Sequence, residues 1–268
     1  MRLSFQNRNA WPLICALSLL TQRSFAADER NELIQEVFQT ELVYSQNAGE
    51  TQLRLSPMFQ REPDARTLTL TTAIEYGLSD QWQIGAEWDA WVYRKPDHAR
   101  SASGIGDTEL SLKYGFGDFS DRDIHAAVQF DLGLPTGDAR RQLGEGLFIF
   151  EPSLMFAKDF PHWANLQLFT QIGLAFIQRE SGHDAEPAAH EFVWNNGLFL
   201  PLGGFVWSAE FNWSNNEWNH GGKNNEFYFT PGWTWSPAAG WELGAGVPIG
   251  LNSSSDDFRV ILKIIREF

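Results

Sequence analysis

The chain has 268 residues, 43% of them hydrophobic, and carries a formal net charge of −14. No run of about 18 apolar residues occurs, which excludes a transmembrane helix, and the acidic balance repels phosphate backbones, so no nucleic-acid partner is expected. One cysteine, Cys15, cannot form an intramolecular disulfide.

The elements follow in chain order. Arg2 and Arg8 precede an apolar run over residues 10–20, and Ser24-Phe25-Ala26 is a small-x-small cleavage site. That order predicts a secretory signal peptide over 1–26, with the mature chain starting at Ala27. Cys15 lies within it behind Ile14, a poor setting for a lipidated cysteine. Residues 27–50 are expected to be an N-terminal periplasmic extension or a partial plug. Leu33, Val37 and Leu42 would suit a short helix, whereas Phe38, Thr40, Leu42 and Tyr44 would suit an extended segment. Both options stay open at this stage.

From residue 51 to 268 the pattern has period two. Trp82, Ile84, Ala86, Trp88, Ala90 and Val92 alternate with Gln83, Gly85, Glu87, Asp89 and Trp91. The run 124–134 and the aromatic runs 205–213 and 227–235 do the same. Sustained alternation predicts half-buried strands and excludes helices. Short connections (78–81, 117–122, 159–163, 202–204, 237–240) alternate with longer polar ones (95–104, 136–146, 180–188, 215–224, 252–256). That alternation, with 12 tryptophans in the chain, predicts an all-β fold, a transmembrane antiparallel up-and-down β-barrel of about 12 strands. Counting back from Phe268 places the first strand at 51–60 and every long loop outside the cell. Phe258, Val260, Leu262, Ile264 and Phe268 share one face, broken by Arg266, whose head can snorkel into water. Phe268 is read as the assembly signal for a barrel-insertion machinery.

If the apolar set faces lipid, the other set faces inward. Glu75, Glu87, Asp89, Glu109, Lys113, Asp131, Glu151, Glu210, Glu226, Glu242, Arg259 and Lys263 are thereby expected to line the lumen, with Arg54, Glu191 and several Gln, Asn and Tyr residues. Excess carboxylate would favour neutral or cationic solutes over anions. Trp91, Tyr93, Phe169 and Phe199 are expected on the same inner face, where they would suit a hydrophobic or aromatic solute. The alternatives are a non-transporting structural or surface barrel, and an outer-membrane enzyme.

Other motifs carry less. Gly104-Ile105-Gly106-Asp107 lacks the third glycine and the following helix of a phosphate-binding loop. His183, Asp184, Glu186, His190 and Glu191 form the densest candidate metal cluster, and their spacing sets no geometry. Ser101, Ser103 and Ser181 near His98 and His183 show no catalytic order. No catalytic residue, metal or cofactor is therefore expected.

Three runs carry a family resemblance: Gly104-Ile105-Gly106-Asp107-Thr108-Glu109-Leu110-Ser111-Leu112-Lys113-Tyr114, Glu75-Tyr76-Gly77-Leu78-Ser79-Asp80-Gln81-Trp82-Gln83-Ile84-Gly85, and Leu134-Pro135-Thr136-Gly137-Asp138. Together they make residues 49–268 resemble the outer-membrane proteins labelled for the MetA-pathway of phenol degradation. The resemblance implies a transporter-like barrel reached by export to the cell outer membrane. Lipid, the insertion machinery and a small solute would be its partners. It carries no functional residue onto this chain.

Overall fold

The computed structural model describes residues 34, 36–120, 123–179, 189–216 and 224–268. The expected signal peptide, the loop with His183, Asp184 and Glu186, and most of the connection around His220 lie outside them. The elements are β1 (Thr51–Arg61), β2 (Ala65–Gly77), β3 (Trp82–Pro96), β4 (Ala102–Gly104), β5 (Thr108–Ser120), β6 (Ile124–Leu134) and β7 (Leu147–Phe160). They continue as β8 (Leu166–Arg179), β9 (Ala189–Leu202), β10 (Phe205–Asn216), β11 (Asn224–Ala238), β12 (Trp241–Gly246), β13 (Ile249–Gly250) and β14 (Phe258–Glu267).

Each strand pairs antiparallel with its neighbour, and β14 pairs back onto β1 from Gln52↔Glu267 to Arg61↔Phe258. The sheet is thus a closed barrel of twelve staves. The short β4 is an extra flap on β3, and β13 continues the stave of β12. Among the described residues, closure gives every stave a partner on both sides. Phe268 completes it, its N–H donating to Thr51 at 2.9 Å while Thr51 donates back at 3.2 Å.

One end of the barrel carries both termini of the strand cylinder and the tight turns; the other carries the longer connections. The β9–β10 turn shows why tight turns form where they do. Gly203 and Gly204 both take positive φ, 64° and 86°, the two-residue hairpin geometry that side chains resist. One connection departs from the expected alternation. The β1–β2 hairpin at the loop end spans only residues 62–64, and the expected loop 95–104 contains β4.

Large apolar side chains cover the outer wall: Leu53, Ile74, Trp82, Leu110, Phe130, Phe156, Trp194, Trp207 and Leu262 are all exposed. The face assignment in β3 needs a correction. Leu70 pairs with Trp91 but Thr71 with Asp89, so Ala90 is an extra residue. A bulge inverts the alternation beyond it. Val92 is consequently buried, whereas Trp91 is 42% exposed on the outer wall with Tyr93 stacked beside it, ring centres 6.1 Å apart. Neither aromatic faces the lumen.

Candidate functional site

Of the residues expected inside, the charged ones lie on the strand faces opposite the outer apolar rows, unlike Trp91 and Tyr93, but they sort into different settings. Glu87, Asp89 and Glu109 join Asp107 and Glu145 around a recess of about 270 Å3 at the loop end, between β3, β5, β7 and loop 135–146. Burial, and then Asp107, push the Glu145 carboxyl up. Below the recess, Glu75 accepts from Gln83 (2.6 Å) and Asp131 from Gln129 (2.8 Å). A chamber of about 20 Å3, room for roughly one water molecule, lies among Glu41, Arg54, Glu75, Glu87 and Glu109. Glu151 sits against Gly173. Arg259 and Glu226 lie apart from this group. Arg259 binds Asp256 at 2.6 Å and stacks on Tyr228, and Tyr228 also reaches Glu226, so Arg259 tethers loop 251–257. Glu242 faces a separate recess at the turn end, beside Ile265 and Glu267.

The remaining expected residues are occupied by the N-terminal segment. Residues 36–47 are neither helix nor strand. They run round the inside of the wall. Gln46 N–H donates to Gln83 on β3 (2.8 Å), and Ser45 to the Gln81 carbonyl (3.3 Å). Tyr44 packs on His125 of β6, ring centres 5.4 Å apart. Glu41 N–H donates to Gln171 on β8 (3.1 Å), and its carboxylate lies 3.5 Å from Lys113. Glu210 on β10 accepts three hydrogen bonds, from Phe38 N–H (2.9 Å), Gln39 N–H (3.0 Å) and Thr40 Oγ1 (2.8 Å). Phe38 then enters a socket on β11 and β12, where a Cβ at Gly232 or Gly246 would lie 2.3 or 2.4 Å from its ring. Lys263 on β14 holds Glu36 at 2.8 Å and the Val37 carbonyl, and Arg54 on β1 holds Glu36 at 3.0 Å and Glu87. Gln52 closes the circuit by donating to Glu36 (2.7 Å) and accepting from Gln46 (2.8 Å).

This ring has the logic of a buried polar network, which is stable to the extent that its members are matched. An extended segment without strand partners must satisfy its N–H groups through side chains, and Gln83, Gln171 and Glu210 do so. Glu36 would be costly to bury alone. Burial opposes its charge, and Arg54 and Lys263 outweigh that and hold its carboxyl below the ordinary carboxylate range.

Within the ring the segment packs against the wall. Ile34, Val37, Leu42 and Val43 form one apolar cluster with Ala127, Met155, Ala157, Phe169 and Phe199 of the wall. Phe169 and Phe199 do face inward as expected, stacked 4.6 Å apart. They contact the plug rather than an open passage. Glu36, Arg54, Gln52 and Gln83 as a lock were not legible in the sequence. Glu36 carried no distinct signal, since Glu32, Gln35, Gln39 and Glu41 surround it in a mixed polar and apolar run.

Two of the sequence motifs meet in space. Asp107 of the Gly-Ile-Gly-Asp run accepts from Gly137 N–H (2.8 Å) and Glu145 N–H (2.7 Å). Thr136 donates to the Gly106 carbonyl at 3.0 Å. The motif is a buckle that fastens loop 135–146 over the lumen. Among the described residues no group of three or more His, Cys, Asp or Glu is placed to hold a metal ion.

Fold and wall define the outer-membrane type of β-barrel, here with an internal stopper. Solved structures bear out that architecture. An outer membrane channel from Pseudomonas putida F1 superposes with a TM-score of 0.64 at 14% identity, covering 87% of this chain and 100% of that one. The NanC porin gives 0.55 at 8% identity (81% and 98% covered), and the β domain of the Bordetella autotransporter Brka gives 0.52 at 13% (82% and 99%). Likeness at such identities is likeness of fold. Neither a protein-family model nor a curated protein matches the sequence.

Proposed function

We propose that this chain is an outer-membrane channel for a small solute, closed at rest by Ile34 and residues 36–47. The observation that carries the reading is the way the stopper is held. Its backbone joins no β-ladder and is bound by side chains of the wall. It can therefore leave without opening the barrel. The carboxylates of the loop-end recess favour a neutral or cationic solute over an anion. Withdrawal of Ile34, Val37, Leu42 and Val43 would bare Phe169, Phe199 and Met155. That apolar wall suits a hydrophobic or aromatic solute, in keeping with the resemblance to proteins labelled for phenol degradation.

The same reading includes export through the signal peptide 1–26, with a mature start at Ala27 that N-terminal sequencing of the membrane-extracted protein would check. It places the turn end in the periplasm and Phe268 in the hands of the insertion machinery. The segment packed against the wall also favours a second reading, a surface barrel that transports nothing. Planar-bilayer recording separates the two. The channel reading expects rare openings for the full mature chain, frequent ones after deletion of residues 27–46, and a preference for cations. A silent deletion variant that folds and inserts would overturn it.

A further inference from the structure

The outer wall at the loop end carries a feature that conduction does not use. In β1, β2 and β3, Arg61 lies opposite Arg66, and Arg66 opposite Lys95. Arg66 and Lys95 alternate with buried Thr67 and inward Arg94, so both point outward with Leu68 and Trp91. Three cations thus stand in one cross-strand row. Like charges directly opposite repel each other and destabilise the pairing, and the row occurs in a chain of net charge −14. Arg61 is shared between Asp97 and Asp257, each at 3.8 Å. Arg66 and Lys95 have no ion-pair partner among the described residues. On the neighbouring stave β14 the residue opposite Arg61 is Phe258, which is apolar.

The surface directly below the row is apolar. One step of the alternation down lie Phe59, Leu68 and Tyr93, and the next step holds Pro57, Leu70 and Trp91. The short ring of Pro57 leaves a dent of about 320 Å3, walled by Leu68, Leu70, Trp91, Val260 and Leu262. Two residues of strand rise about 7 Å, so the dent begins within one headgroup's depth of the cations. On β2 the apolar outer rows run from Leu68 to Tyr76, about 27 Å along the strand. At the tilt of about 40° usual for such strands this spans roughly 21 Å along the membrane normal, within the roughly 25 Å band of an outer-membrane barrel, and sets Arg66 near its upper edge.

We propose that this rim docks a phosphorylated lipid of the surrounding leaflet, its phosphates on Arg61, Arg66 and Lys95 and an acyl chain in the dent. An anion of the leaflet removes the mutual repulsion of the row, and only a lipid presents charge and hydrocarbon at that spacing. The inference needs the barrel to sit in a membrane and is independent of whether the lumen conducts.

The test is native mass spectrometry of the full mature chain in detergent, titrated with diphosphoryl lipid A. The wild type is expected to retain one lipid, with affinity falling as salt rises. The double variant Arg66→Ser/Lys95→Ser should bind tenfold or more weakly, since each basic residue near a charged lipid surface contributes about a factor of five. The dephosphorylated lipid should bind as weakly to the wild type, and equimolar inorganic phosphate should displace nothing. Both substitutions lie on an exposed surface, and retained heat-modifiable migration shows that the barrel is intact. Equal binding by the double variant, equal binding of the dephosphorylated lipid, or displacement by free phosphate would each overturn the proposal.

Discussion

Glu210→Gln tests the stopper at its most concentrated point. The carboxylate of Glu210, 1% exposed, serves three donors of the segment with two oxygens: Phe38 N–H on one, Gln39 N–H and Thr40 Oγ1 on the other. An amide keeps one acceptor oxygen and turns an NH2 group toward donors. At least one hydrogen bond is lost and one buried donor is left unmatched, about 2–4 kcal/mol together. The β10 ladder itself uses backbone groups and is untouched. The docked-to-released ratio of the segment should therefore fall by about thirtyfold to a thousandfold. Val37→Cys provides the readout, because Val37 is 1% exposed when docked and the chain's one cysteine, Cys15, lies in the proposed signal peptide. A water-soluble thiol reagent should label that cysteine slowly in the parent and faster by at least a factor of ten with Glu210→Gln. Channel openings should rise in parallel. Unchanged labelling in a folded barrel would show that Glu210 does not hold the segment and would sink the reasoning.

Four further outcomes follow from the same geometry. Gly246→Val places a side chain within 2.4 Å of the Phe38 ring, so it should evict Phe38 and raise labelling at position 37, while barrel migration on gels stays normal. Glu36 is held below its ordinary value of 4.5 when docked. Docking is then at full strength at neutral pH and weakens as pH falls below about 4.5; labelling should rise there, and Glu36→Gln should abolish that step. Asp107→Asn leaves one of two loop N–H groups unmatched, about 1–3 kcal/mol, and trypsin should cut at the exposed Arg140 and Arg141 five- to a hundredfold faster. Deleting Phe268 removes the pair of hydrogen bonds to Thr51 that completes closure, and the assembled fraction in cells should drop severalfold; an unchanged fraction would remove Phe268 from its assembly role.

Alternation along each strand was enough to specify the barrel, its stave number and the wall on which Glu87, Glu109 and Lys263 sit. Period two is a local property of an extended chain, and it is written residue by residue. It misassigned Trp91 and Tyr93 because a single extra residue, Ala90, shifts parity, and no composition marks a bulge. The stopper belongs to tertiary structure altogether. Phe38 fits against Gly232 and Gly246, some two hundred residues away, and Glu36 meets Arg54 and Lys263 only because β14 closes on β1. Asp107 likewise finds Gly137 through a loop. Sequence alone therefore determined which face a side chain would take wherever the alternation runs unbroken; closure of the cylinder decided which of them would meet, because those contacts join positions that are distant along the chain and adjacent only in space.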